Sequence, residues 1–131
     1  MKVAFASDDG LTVNTHFGYA ASFEVYEITT EKYEKLPKRE VKLEEEESEN
    51  SKIENRLHAV LDCTLLFINQ IGPAAAARVT RNQIMPIKVD VNTSIQEQLE
   101  RLLQMLQNKP PMWLAKAMQS VNEGESTPSS R

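Results

Sequence analysis

Cysteine is nearly missing from this sequence, since Cys63 is the single one. A lone thiol excludes an intramolecular disulfide and any permanent site that needs two or more cysteines from one chain. Long apolar runs are missing too: none approaches the ~20 residues that a membrane span requires. The opening segment Met1-Lys2-Val3-Ala4-Phe5-Ala6 is too short for a signal-peptide core and leads directly into polar residues. A cytoplasmic location without membrane attachment is therefore expected. Positive charge is also short, with 15 Lys and Arg against 19 Asp and Glu, a net charge of −4 and a pI near 5.2. Binders of a phosphate backbone usually carry a basic patch, so a nucleic-acid partner is not expected. The acidity is concentrated in Glu44 to Glu47 and Glu49, and the rest of the chain is close to neutral.

What is present suits one domain. The chain has 131 residues, of which 40% are apolar, enough for a modest hydrophobic core. Lys2 to Ala6 reads as a strand ended by the turn residues Ser7-Asp8-Asp9-Gly10. A polar loop runs through Thr12-Val13-Asn14-Thr15-His16-Phe17-Gly18, and Phe23, Val25, Tyr26 and Ile28 mark a second strand. Lys35 to Leu43 is a charged strand, and Pro37, which has no ladder donor, assigns it to an edge.

Glu44 to Asn50 reads as a solvated connection, and Ser51-Lys52-Ile53-Glu54 has the spacing of a capping box that opens a helix. Ile53, Leu57, Val60 and Leu61 would form its apolar face. Thr64 to Ile68 is a continuous apolar run, as expected of a strand covered on both faces. Gly72-Pro73 followed by four alanines opens a second helix. Ile87 to Val91 follows Pro86 as the next strand. Thr93 with Gln96, or Ser94 with Glu97, caps a helix whose stripe is Ile95, Leu99, Leu102, Leu103 and Leu106. Pro110-Pro111 ends that helix, and Trp113-Leu114 with Met118 suits a short amphipathic piece. Residues 1–118 are the expected domain, and 119–131 have the composition of a disordered tail. The order β-β-β-α-β-α-β-α implies an α/β protein with a mixed sheet.

Ligands of open α/β sheets gather beyond the carboxyl ends of the parallel strands. Two segments reach that edge here. The loop Ser7 to Gly18 brings His16, an imidazole able to ligate iron. The loop Asn69 to Pro73 brings a helix start, with amides suited to an anion. Cys63 falls at the opposite end of its strand, roughly 16 Å away, and reads as a buried structural thiol. Each feature has a plainer reading. His16 can be an ordinary loop histidine, Asp8-Asp9-Gly10 a turn and Gly72-Pro73 only a helix start, while His58 falls on an exposed helix flank.

Three blocks, taken together, resemble a known family. They are Ser7-Asp8-Asp9-Gly10 with Val13 to Gly18 and Phe23 to Tyr26, then Ile71 to Val79 with Ile84 to Val89, and finally Pro110-Pro111-Met112-Trp113-Leu114. In this order they are similar to the NifX/NafY family of nitrogenase cofactor-biosynthesis proteins, and the last block points to its NifX branch. The resemblance implies a three-layer α/β/α, ribonuclease H-like fold with a five-stranded mixed sheet. It also implies transient binding of an iron–sulfur precursor of the iron–molybdenum cofactor, without catalysis. The partners would be the cofactor scaffold complex and the radical-SAM enzyme that makes the precursor. The family's cluster-binding histidine maps onto His16, the expected metal ligand. The candidate cofactor-binding set adds Asp8, Asp9, Asn14, Phe17 and Gly18 from the first loop, with Gly72 and Pro73 from the second. The chain departs from the family pattern at Thr15 and at Asn82-Gln83, where glutamine and Ala-Gly are usual.

Two other readings compete. A nuclease would need several carboxylates around two metals, with Asp8, Asp9 and Asp90 as the candidates. A cofactor-free interaction or regulatory domain of the nitrogen-fixation machinery would use the acidic connection and the Trp113 segment as docking surfaces.

Overall fold

Strand β1 (Lys2–Ala6) alternates large and small apolar residues, and that alternation sets the architecture. The computed structural model describes the backbone of residues 1–126 and the side chains of residues 1–119. In it, β1 pairs antiparallel with β3 (Ser22–Ile28) on one side and parallel with β6 (Leu65–Ile68) on the other. Strand β7 (Met85–Lys88) adds parallel to β6. The far edge of β3 carries two short strands, β4 (Tyr33–Lys35) and β5 (Arg39–Glu40). The sheet is thus five positions wide but has six strands. The single edge strand expected over 35–43 is split at Leu36-Pro37-Lys38, because Pro37 cannot donate to a ladder.

Val3 and Phe5 face one way, Ala4 and Ala6 the other, and each face has its own core. On the alanine side Leu66 and Ile68 meet Ile53, Leu57 and Val60 of α1 (Glu49–Val60) and Ala75 and Val79 of α2 (Pro73–Arg81). On the other side Leu65 and Phe67 meet Ile95, Leu99, Leu102 and Leu106 of α3 (Ile95–Gln107). Leu114 and Ala117 of α4 (Met112–Ser126) join this second core, and Phe5 stacks on Phe67 at 4.8 Å. Burying each large apolar side chain stabilises by about 1.5–3 kcal/mol. The result is the expected three-layer α/β/α arrangement around a mixed sheet.

Several local expectations need correction. Helix α1 starts at Glu49, not Ser51: Ser48 is its N-cap and accepts from the Ser51 N–H. Glu49 then sits in the first turn, where the positive end of the helix favours a carboxylate. Leu61 is 49% exposed, while Arg56 is buried in the α1 face. Arg56 reaches the Ala20 carbonyl and pairs with Glu47, so the acidic connection is anchored to the core at its end.

Strand β7 contains Pro86 rather than following it. The amides of Met85 and Val89 point toward β6, so by alternation position 86 faces the open edge, where a missing N–H breaks no ladder bond. The two-stranded sheet of β2 (Thr12–Val13) and β8 (Thr93–Ser94) was not signalled by any apolar pattern. Of the two candidate caps for α3, Ser94 is the one used, accepting from the Glu97 N–H. The tail expected from residue 119 falls partly on α4, and residues 127–131 lie outside the described residues.

Candidate functional site

The loop after β1 is braced by its own carboxylate. Asp9 accepts hydrogen bonds from the amides of Leu11 and Thr12, both at 2.8 Å, and from the hydroxyls of Thr12 and Ser7. The Thr12 and Leu11 amides hold its carboxyl well below the usual carboxylate range. Gly10 completes this turn with φ 75°, a conformation that costs glycine little. The Asn14 side-chain oxygen accepts from the Asp8 N–H at 2.9 Å and from the Thr15 hydroxyl. Asp9 and Asn14 therefore shape the loop, and the exposed Asp8 side chain lies on its outside.

Beyond Asn14 the chain is tied to the loop after β6. The Asn69 N–H donates to the Thr15 carbonyl at 3.2 Å, and the Phe17 N–H donates to the Gln70 carbonyl at 2.9 Å. Phe17 is buried and packs near Phe23, so its ring is part of the core. His16 stands between these two anchored residues with its imidazole exposed, as the N-cap of a 3₁₀ turn over Phe17–Tyr19. It makes no side-chain capping bond.

Across from His16 lies the start of α2. Gly72 is the N-cap, with extended backbone and no side-chain cap, and Pro73 fills the first helical position. Ala76 donates to the Gly72 carbonyl at 2.9 Å, so the earlier amides of the turn have no intrahelical acceptor. Those amides and the helix dipole favour an anion.

A cavity of ≈ 160 Å³ joins the two loops, with His16, Gly18 and Gly72 on its wall. Asp8, Asp9, Asn14, Phe17 and Pro73 do not line it. Of the other lining residues, Gln70 and Ile71 come from the expected loop after β6, whereas Tyr19, Glu49 and Lys52 escape sequence reasoning. Lys52 holds its ammonium 5.5 Å over the Tyr19 ring, a cation–π contact that sets a positive charge beside the exposed imidazole. Glu49 opposes it with a negative charge on the same wall. Nothing in the local pattern of α1 announces Glu49 and Lys52, because only packing of α1 against the 3₁₀ turn brings them to His16.

Cys63 is placed as expected, at the other end of β6 and 4% exposed. Burial, helped by the nearby Asp62 charge, pushes its thiol pKa up to about 12, so at neutral pH it is neither a nucleophile nor a ready ligand. Among the described residues no three His, Cys, Asp or Glu side chains come together as a metal centre. Of the carboxylates that a nuclease would use, Asp9 is already committed to its turn. No helix among the described residues is long and apolar enough to cross a membrane.

Residues 1–105 match the family described as dinitrogenase iron–molybdenum cofactor. The chain is 34% identical over 124 residues to NifX of Herbaspirillum seropedicae, covering 94% of this chain and 85% of that protein. It is 32% identical over 119 residues to NifX of Azotobacter vinelandii, covering 91% and 75%. With NifY of Klebsiella pneumoniae the identity is 36% over 121 residues, covering 92% of this chain and 52% of that longer protein. The crystal structure of PH0822 shares the fold, with a TM-score of 0.63 and 21% identity over 79% of this chain and 89% of that one.

A mixed α/β sandwich with an open shelf at the carboxyl edge of its parallel strands is the class that fold and site define. The chain belongs to the NifX/NafY family. Membership ties it to the biosynthesis of the iron–molybdenum cofactor of nitrogenase.

Proposed function

We propose that this protein binds an iron–sulfur precursor of the iron–molybdenum cofactor and carries or stores it between the precursor-making radical-SAM enzyme and the scaffold complex. The observation that carries this reading is the exposed His16 imidazole at the wall of a cavity shared with the uncapped start of α2. An imidazole is a suitable iron ligand, and a metal–sulfide cluster that is anionic overall is favoured by the amides of α2 and by the Lys52 ammonium. One side-chain ligand and a set of dipoles hold such a cargo without trapping it. That balance suits a carrier in the cytoplasm rather than an enzyme, and it is why a lone, distant cysteine is no handicap.

Anaerobic titration with the isolated precursor cluster tests this. Wild type should bind and turn brown on gel filtration, and His16→Ala should bind at least tenfold more weakly. Equal affinity of the two proteins would remove His16 as ligand.

A second reading, a cofactor-free docking domain, draws on Met112 and Trp113, which are 76% and 37% exposed on α4. A wild-type protein that stays colourless in the same titration would favour it.

A further inference from the structure

Asn69 is 6% exposed and lies where three loops converge at the carboxyl edge of the sheet. Its side-chain amide donates to the Val13 carbonyl, from the loop after β1, at 3.0 Å. The same group donates to the Val89 carbonyl, just after β7, at 3.1 Å. Its backbone N–H holds the Thr15 carbonyl at 3.2 Å, and the next residue, Gln70, accepts from Phe17 at 2.9 Å. The residues on either side of His16 are therefore both fastened to positions 69 and 70.

The other half of the amide is unusual. The Asn69 side-chain oxygen is buried and has no hydrogen-bond partner among the described residues. Leaving a buried acceptor unpaired is unfavourable, and an apolar side chain of the same size would avoid it. The position therefore keeps asparagine for its two N–H donors. Aspartate and leucine offer no such donors, and glutamine places them one methylene too far.

We infer that Asn69 is a positioning residue for the His16 site: its buried amide clamps the loops after β1 and β7 to the end of β6 and so fixes the imidazole against the start of α2. The role in binding rests on the carrier reading above, whereas the clamp itself can be tested without cargo.

The experiment compares Asn69→Ala with Leu102→Ala, which weakens the core under α3 without removing any hydrogen bond of these loops. In cargo-free protein the amides of Phe17 and Asn92 (the latter bonded to Val13) should exchange with solvent at least tenfold faster in Asn69→Ala than in Leu102→Ala. Exchange no faster than in that control overturns the clamp. In anaerobic titration with the precursor cluster, Asn69→Ala should bind about tenfold more weakly, and adding His16→Ala should cause little further loss. Faster exchange with wild-type affinity, while His16→Ala binds weakly, would overturn the positioning role. Should His16→Ala alone leave affinity unchanged, the carrier reading fails while the exchange result still decides the clamp. If Asn69→Ala does not fold, Asn69→Ser keeps one donor, and its acceleration should fall between wild type and the tenfold limit; no acceleration would count against the clamp.

Discussion

Gln83 holds a left-handed backbone, with φ 66°, immediately after the C-cap of α2. A residue with a Cβ pays roughly 1–2 kcal/mol in that region, and glycine avoids the clash at some cost in chain entropy. The preceding Asn82 offsets part of the strain, since its side-chain amide donates to the Arg78 carbonyl at 2.8 Å. Gln83→Gly should therefore stabilise the protein by about 0.5–1 kcal/mol, raising the midpoint of a thermal melt by roughly 2–4 °C. No change, or a loss, would mean that the Gln83 side chain makes a compensating contact. This departure from the family pattern was visible in the sequence, but its strain was not, because φ is set by how the chain must turn from α2 into β7.

The acidic segment before α1 divides in two at the level of elements. Glu44, Glu45 and Glu46 are exposed, whereas the Glu47 side chain is 9% exposed and pairs with Arg56, itself 3% exposed, at 3.2 Å. Removing one partner of a buried pair leaves the other charge uncompensated. Glu47→Ala should cost about 3 kcal/mol in urea unfolding, while Glu45→Ala should stay within about 0.5 kcal/mol. Similar small effects from both would show that Arg56 finds another partner. Charge run and helix were each legible in the sequence. The pairing was not, because Arg56 occupies a slot in the apolar face that pattern reading gave to leucine, with Leu61 left outside. The start of α1 was misplaced for a related reason: two serines, Ser48 and Ser51, offer cap chemistry three residues apart, and tertiary packing chose the earlier one.

For the whole molecule, stability should decline at both ends of the pH scale. Arg39 bonds the Asp62 carboxylate and holds its pKa below the usual value, joining β5 to the turn before β6. A depressed carboxyl pKa contributes stability that is present above the unfolded value of about 3.9 and is lost as pH falls through the folded one. Asp62→Asn should accordingly flatten the acid limb of a plot of urea midpoint against pH. An acid limb identical to wild type would discount the pair. Cys63 works in the opposite sense. Its folded pKa of about 12 favours the neutral thiol, so stability is full below the unfolded value of about 8.5 and is lost as pH climbs toward 12. The loss is at most about 5 kcal/mol, and Cys63→Ala should flatten the alkaline limb relative to wild type. An unchanged limb in that variant would mean that the thiol ionises without opening the core.

Local pattern sufficed for the class of fold, for most strands and helices, for the edge role of Pro37, for the burial of Cys63 and for the two loops that meet at the site. Each of these follows from periodicity, turn chemistry or strand order, which act over a few neighbouring residues. Tertiary structure alone decided which side chains share the cavity with His16. Lys52 and Tyr19 come from different elements and meet only because α1 packs beside the 3₁₀ turn. It also decided that Asp9 and Asn14 brace a loop, that Arg56 rather than Leu61 is buried, and that Asn69 ties three loops together. Hydrogen bonds between residues tens of positions apart leave no periodic trace in a chain, so they become visible only when the backbone has closed on itself.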